Sequence, residues 1–221
     1  MKYRSIVFGI VLAITLSACQ TGPLPQETIY SHLEQAVKLE TGFENQQTEM
    51  IRLETKEKEI YDQIMTLGLK EIEKIKQLST EALVITEERR TGLSTEYESM
   101  QQSKQEFEKI INIVEEVEEE QLKKSAKALV ELMNTRYSTY EELYKAYGKS
   151  IEFDKELYIM FQNKDLTLEQ LEEQIQKVNG SYESVLALNE KFNKITNEYN
   201  EKKRMFYEDA GLNITLEQTS N

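Results

Sequence analysis

One cysteine and one histidine occur in the 221 residues, and these counts limit the chemistry that the chain can perform. A single thiol cannot form an intrachain disulfide or a multi-cysteine metal site, and the single imidazole of His32 cannot supply a paired-histidine zinc motif. No Cys/His, His/Asp or paired-carboxylate motif falls in a stretch expected to be a loop. The sequence therefore predicts no catalytic residue, no metal site and no cofactor.

Cys19 is the residue with a definite chemical prediction. Lys2 and Arg4 precede an apolar run over residues 6–16, and Leu-Ser-Ala comes directly before the thiol. The run is too short to cross a bilayer core, which needs about 20 helical residues, and it is typical of a secretory signal peptide. The ending LSAC is similar to the bacterial lipobox, in which the thiol becomes the thioether of diacylglycerol. We therefore expect residues 1–18 to be removed as a lipoprotein signal peptide.

The charge of the chain sets its expected partners. With 27 basic and 40 acidic side chains, the formal net charge is −13. Nucleic acid and anionic headgroups would both repel such a body, so we predict no nucleic-acid partner. The acidic body therefore does not help to hold the protein at the lipid bilayer. Attachment must come from the diacylglycerol on Cys19, whose two acyl chains give stable anchoring where a single chain gives only marginal membrane binding. The expected location is the extracellular face of the cell membrane.

The distribution of proline and of apolar residues predicts the fold. Both prolines lie in residues 19–26, which should form a flexible linker after the lipidated cysteine. Further on, apolar residues recur at steps of three, four or seven, as in amphipathic helices. We predict an all-α, elongated, antiparallel bundle over residues 27–208, spectrin-like with about three long helices and coiled-coil-like packing. Residues 209–221 should form a polar tail. A parallel coiled-coil oligomer is the alternative fold.

Glycines and capping residues mark the expected chain reversals. Gly92 and Gly148 are each followed by residues that can cap a helix, so they should end the first and second long helices. Gly68 predicts either a bend or a full turn. Thr167 begins a T-x-x-Q capping box, which should start the last helix, and Gly211 should end it.

Four tyrosines and one acidic run are the remaining candidate sites. Tyr137, Tyr140, Tyr144 and Tyr147 step by three, four and three residues, so they share one helix face. This spacing favours a core position, and the alternative is a ligand-facing aromatic patch that stacks on sugars. The acidic run over residues 115–120 should be a solvated helix face, because helical carboxylates splay and do not converge on a cation.

Five segments in the amino-terminal half resemble the YkyA-like cell-wall binding lipoproteins of Gram-positive bacteria. The resemblance implies a surface lipoprotein with a long helical bundle and a role in wall binding, and it carries over no catalytic residue. The matching segments are Ile29-Tyr30-x-x-Leu33-Glu34, Leu39-Glu40-x-x-Phe43-Glu44-x-Gln46-Gln47, Glu57-Lys58-Glu59-Ile60-Tyr61-x-x-Ile64-x-x-Leu67-Gly68, Leu78-Ser79-x-Glu81-Ala82-Leu83 and Ser103-Lys104-x-Glu106-Phe107.

These observations favour a non-enzymatic, membrane-anchored lipoprotein with a binding or spacer role in the cell wall or envelope. One alternative is a docking or accessory subunit for another envelope protein. An envelope enzyme, such as a wall hydrolase, is a further alternative. The expected partners are thus the bilayer and either peptidoglycan or another envelope protein.

Replacing Cys19 by Ala should abolish lipidation, because the thiol is the acceptor of the diacylglycerol group. Labelling cells with palmitate and isolating the protein from the membrane fraction measures the modification. Ser17→Ala is the control, since it keeps a small residue in the motif and should retain the label. Label that persists on the Cys19→Ala protein would contradict the predicted anchor.

Overall fold

The computed structural model describes residues 22–67 and 71–212 of the chain, and every regular element in them is a helix. No helix in these two ranges is both long enough and apolar enough to cross a membrane. Cys19, the expected signal peptide, Gly68 and most of the expected tail lie outside the described residues. The helices are α1 (Pro25–Leu39), α2 (Thr41–Thr66), α3 (Ile72–Glu108), α4 (Ile110–Glu115), α5 (Glu120–Phe161) and α6 (Leu168–Asp209).

Two of the junctions between helices keep the chain in a helical path. Glu40, between α1 and α2, has φ −82° and ψ −2°, and Lys109, between α3 and α4, has φ −63° and ψ −26°. The six helices therefore form four long helical segments, α1–α2, α3–α4, α5 and α6. The prediction of an all-α antiparallel bundle is confirmed, with four long helices in place of about three.

The long helices pack in the order in which they occur in the chain. α1 and α2 pack against α3, α3 packs against α5, and α5 packs against α6. The neighbours are antiparallel, because side-chain pairs such as Gln47–Glu96 and Glu57–Arg89 have rising numbers on α2 and falling numbers on α3. α5 and α6 each have 42 residues, which gives a length of about 63 Å at 1.5 Å per residue.

The two glycines expected to reverse the chain lie inside helices instead. Gly92 is in α3 and Gly148 is in α5, so neither prediction of a helix end is correct. A Cβ atom on Gly92 would lie 2.8 Å from the sulfur of Met50, so the absence of a side chain here leaves room for the Met50 side chain of α2. At Gly148 a Cβ would meet only Leu93, at an ordinary 3.8 Å, so nothing in its surroundings requires a glycine.

The actual reversals follow α2, α4 and α5. α2 ends at Thr66, and α3, which begins at Ile72, runs antiparallel to it. The α4–α5 turn lies within the acidic run over residues 115–120, where Val117 is buried and its acidic neighbours are exposed. This run is therefore a solvated turn and not a continuous helix face.

Both signals expected at the ends of the last helix are confirmed. The Thr167 hydroxyl accepts a hydrogen bond from the Gln170 amide at 3.2 Å, and the Gln170 side chain accepts one from the Thr167 amide at 3.1 Å. These two bonds satisfy amide groups that the first helical turn leaves free. Gly211 follows α6 with φ 67°, the left-handed conformation that glycine adopts readily after a helix.

The apolar core runs along the bundle between the helices. Each helix contributes the apolar stripe that its sequence period predicts, and the stripes meet in the interior. The largest apolar side chains that are fully buried are Ile29, Leu33, Ile85, Met100, Phe107, Ile110, Leu129, Met133, Ile151 and Phe206.

Candidate functional site: a groove with a polar floor

A long groove of about 1980 Å³ lies between α1–α2 on one side and α6 on the other. Its floor is formed by side chains of α3 and α5, and its two walls face each other because α2 packs on α3 while α6 packs on α5. On α1–α2 the lining residues run from Tyr30 to Asp62, a span of about 48 Å along the helices. The groove thus has the shape of a channel along the bundle axis.

Contacts between α1 and α6 close one end of this groove. The rings of Tyr30 and Tyr207 pack edge to face with centroids 4.8 Å apart. The Tyr207 hydroxyl donates a hydrogen bond of 2.8 Å to Glu34, and the Lys203 ammonium lies 3.4 Å from the same carboxylate. The walls are therefore tied together where the carboxyl end of α6 reaches α1.

Arg89 of α3 is the central polar residue of the floor and is only 1% exposed. Its Nη1 donates hydrogen bonds to Glu57 at 2.5 Å and to Asp154 at 2.9 Å. Its Nη2 donates to the Tyr182 hydroxyl at 2.5 Å, and both Nη2 and Nε lie within 3.3 Å of the Tyr147 hydroxyl. One guanidinium thus joins α2, α3, α5 and α6.

The protonation of this cluster follows from its burial and its charges. Burial acts to lower the pKa of Arg89, but the surrounding hydroxyl and carboxylate groups outweigh that effect and raise the pKa above its usual value. Burial also raises the pKa of Glu57 to about 7, and the Arg89 charge opposes this rise. Arg89 is accordingly a permanent cation whose hydrogen bonds are already used within the protein.

Arg136 of α5 forms a second polar contact across the bundle. Its Nη1 and Nη2 donate to the two carboxylate oxygens of Glu40 at 2.8 and 2.7 Å, and its Nε donates to the Thr196 hydroxyl at 2.9 Å. Ser103 of α3 donates to the same carboxylate at 2.9 Å, and the guanidinium lies 4.8 Å from the Phe192 ring centroid. This contact fixes the α1–α2 junction over the floor and against α6.

A smaller polar group lies on the floor between the two arginines. Glu96 is 6% exposed, and its Oε1 accepts a hydrogen bond from the Gln47 amide at 2.9 Å. Burial raises the pKa of Glu96 to about 7, although the Gln47 hydrogen bond opposes the shift. Tyr140 is 2% exposed, and its hydroxyl has no hydrogen-bond partner among the described residues.

The four tyrosines of the predicted stripe have different surroundings. Tyr137, Tyr140 and Tyr147 are buried, while Tyr144 is half-buried and stacks on Tyr97 with centroids 4.2 Å apart. Tyr140, Tyr144 and Tyr147 line the groove floor. Tyr137 does not line the groove, and its hydroxyl lies 2.8 Å from Ser103. The stripe therefore contributes both to the core and to the floor.

Comparisons with known proteins place this fold and sequence in a family. The crystal structure of a conserved protein of unknown function from Staphylococcus aureus is similar, with a TM-score of 0.63 and 17% identity over 84% of this chain and 97% of that chain. At this identity the likeness supports the fold alone. The "Uncharacterized lipoprotein YkyA" of Bacillus subtilis (strain 168) is 36% identical over 203 residues, which are 92% of this chain and 91% of the relative.

The family model described as "Putative cell-wall binding lipoprotein" (YkyA) matches residues 24–209. This chain belongs to that family. The resemblance found in the amino-terminal half of the sequence is thus confirmed, and it extends through α6.

Arg89 and Arg136 are the structural residues of this YkyA family member that the sequence analysis missed. Each lies in an apolar stripe, with Ile85 and Leu93 four residues to either side of Arg89. An arginine in such a stripe position signals a buried ion pair, because an unpaired charge is too costly to bury. The sequence does not reveal which helices supply the acceptors.

His32 and the acidic side chains form no metal site in the part of the chain that the structure describes. His32 is partly exposed, and its Nδ1 lies 2.6 Å from Glu106. No group of three or more His, Cys, Asp or Glu side chains in residues 22–67 and 71–212 is placed to hold a metal ion.

Replacing Arg89 by Met should destabilise the bundle by about 3–5 kcal/mol, because Glu57 and Asp154 would then be buried without their cation. Urea unfolding followed by circular dichroism measures the change. The matched control is Arg90→Met, which removes an exposed ion pair with Glu152 and should cost no more than about 1 kcal/mol. Equal losses in the two variants would contradict the role of the buried cluster.

Replacing Glu96 by Gln should stabilise the protein at pH 8 more than at pH 5. The folded-state pKa of about 7 lies above the ordinary 4.5, so this carboxylate lowers the stability of the wild type as the pH rises from about 4.5 to 7. The Gln side chain removes that loss and still accepts the hydrogen bond from Gln47. The free energy of unfolding should therefore rise by roughly 1–3 kcal/mol at pH 8 relative to the wild type. Urea unfolding at both pH values measures the gain as the difference between variant and wild type.

The control for the pH experiment is Glu98→Gln, which removes an exposed carboxylate two residues away on the same helix. A gain for Glu96→Gln that is equal at pH 5 and pH 8 would contradict the raised pKa.

Proposed function

We propose that this protein is a non-enzymatic lipoprotein, anchored through Cys19 on the extracellular face of the membrane, whose groove binds a polymer of the cell wall. The observation that carries the proposal is the groove itself, which is lined over about 48 Å of α1–α2. A channel of this length suits an extended chain better than a compact small molecule. The family description, which names wall binding, supports the same conclusion.

The rims of the groove offer apolar surface for a ligand to cover. Ile51 on α2 is 62% exposed and Leu186 on α6 is 65% exposed, and both line the groove from opposite walls. Large apolar side chains that face a shared cleft are a feature of binding surfaces. A polymer lying in the groove would cover both side chains.

The charge of the protein favours a shaped binding site over general adhesion. A chain with a net charge of −13 is repelled by anionic wall polymers within about a Debye length, roughly 8–10 Å at physiological salt. Binding to the wall must therefore come from short-range contacts in a defined site. The groove, with a volume of about 1980 Å³, offers such a site.

A binding role without catalysis is supported by the way the groove uses its ionisable groups. The two floor arginines and the carboxylates of Glu40, Glu57 and Asp154 are held in hydrogen-bonded ion pairs that join helices. Because the hydrogen bonds of these groups are directed to one another, we assign the groups to joining the helices. The alternative of an envelope enzyme gains no support from this arrangement.

The test is co-sedimentation of the full-length lipidated protein, in detergent micelles, with purified wall sacculi. The double variant Ile51→Gln/Leu186→Gln should bind at least roughly fivefold more weakly than the wild type, because it removes apolar contacts from both rims. Helicity should be unchanged, since both side chains are exposed.

The matched control is Val84→Gln/Ile159→Gln, which removes side chains that are 56% and 53% exposed and lie outside the groove. This control should sediment as the wild type does. Equal binding by the two double variants, or failure of the wild type to sediment, would contradict the proposed function and favour docking to another envelope protein.

A further inference from the structure

The Tyr140 hydroxyl is a buried polar group on the groove floor that has no hydrogen-bond partner among the described residues. Phe43 and Phe192 hold the ring in place, with centroids 5.6 and 5.7 Å from it. On the same stripe, the Tyr137 hydroxyl bonds with Ser103 and the Tyr147 hydroxyl accepts from Arg89. Tyr140 therefore differs from both neighbours, and a buried hydroxyl that makes no hydrogen bond is costly to the fold.

Two further polar side chains line the same stretch of the floor. Phe43, whose ring packs on Tyr140, lies one helical turn before Gln47 on α2, and Gln47 donates to Glu96 at 2.9 Å. The charge of Glu96 also contributes, after burial, to the raised pKa of Tyr140. The bond from Gln47 uses Oε1 of Glu96, so Oε2 lies outside that hydrogen bond. A phenol, a carboxylate and an amide from three different helices thus converge on the floor, and all three residues line the groove.

The charges of the floor determine which ligand fits there. Arg89 donates to four side chains around it and Arg136 holds Glu40 with both terminal nitrogens, so neither guanidinium is free to bind an anion. The buried Glu96 carboxylate would itself repel an anionic group. A neutral ligand rich in hydroxyl groups avoids both penalties, because hydroxyls donate to carboxylates and exchange hydrogen bonds with phenols and amides.

We propose that Gln47, Glu96 and Tyr140 form a subsite for an uncharged sugar unit of a wall glycan. This inference rests on the proposed function of the groove and specifies its ligand. Adjacent sugar hydroxyls donate hydrogen bonds to Glu96 and Tyr140, and the half-buried aromatic rings of Phe43 and Tyr144 supply apolar surface for the C–H face of the ring. Anionic wall polymers are excluded from this subsite.

The experiment measures binding of a soluble, neutral oligomer of N-acetylglucosamine to the full-length protein in micelles by titration calorimetry. Tyr140→Phe should weaken binding about threefold to tenfold, because one hydrogen bond to the sugar is lost. Its melting temperature should not fall, since the hydroxyl has no partner in the part of the chain that the structure describes. Glu96→Gln should also weaken binding.

Tyr137→Phe is the matched control, because it removes a buried hydroxyl from the same helix face but outside the groove. It should lower the melting temperature, through loss of the bond with Ser103, and leave the affinity for the oligomer unchanged. The two tyrosine variants therefore have opposite expected effects, which separates ligand binding from a structural role.

Two outcomes would overturn the subsite while the groove function stands. One is loss of sacculus binding in the Ile51/Leu186 variant with no effect of Tyr140→Phe or Glu96→Gln. The other is binding of a glycerol-phosphate oligomer or a wall peptide in preference to the neutral saccharide. Failure of the wild type to bind sacculi would instead contradict the proposed function itself.

Discussion

The need to surround buried guanidinium groups with acceptors governs the arrangement of this bundle. Arg89 takes its acceptors from three other helices, and Arg136 takes them from the α1–α2 junction and from α6. Because losing a carboxylate partner would leave a buried charge less well compensated, the positions of the two walls relative to the floor are coupled. The groove exists because the walls are joined through polar groups of the floor instead of packing their apolar stripes on each other.

The helical content, the spacing of the apolar residues and the start of α6 could be predicted from the sequence, because each has a local cause. Absence of proline, the apolar repeat and the Thr167 capping box act within a few residues of the chain. The number of helices could not be predicted in the same way. Gly92 lies inside a helix against the Met50 side chain, whereas the turn at residues 116–119 contains neither glycine nor proline. Both depend on how distant helices meet.

The same distinction applies to the candidate site. The sequence placed Tyr140, Tyr144 and Tyr147 on one face of a helix, and that face does contribute to the groove floor. It could not show that the Tyr140 hydroxyl has no partner within residues 22–67 and 71–212 while the Tyr137 hydroxyl bonds with Ser103, because Ser103 lies on another helix. A residue's period along the chain determines its face, but the hydrogen bonds available to it depend on which side chains the tertiary fold brings there.

The contacts at the closed end of the groove bear on the order in which the protein folds. Most helix packing joins segments that follow each other in the chain, so each helical hairpin can form with a short loop. The bond between Tyr207 and Glu34 spans 173 residues, and the entropy lost in closing a loop grows with its length. We expect such a contact to form once the intervening helices have docked, so the groove should take its final shape late in folding.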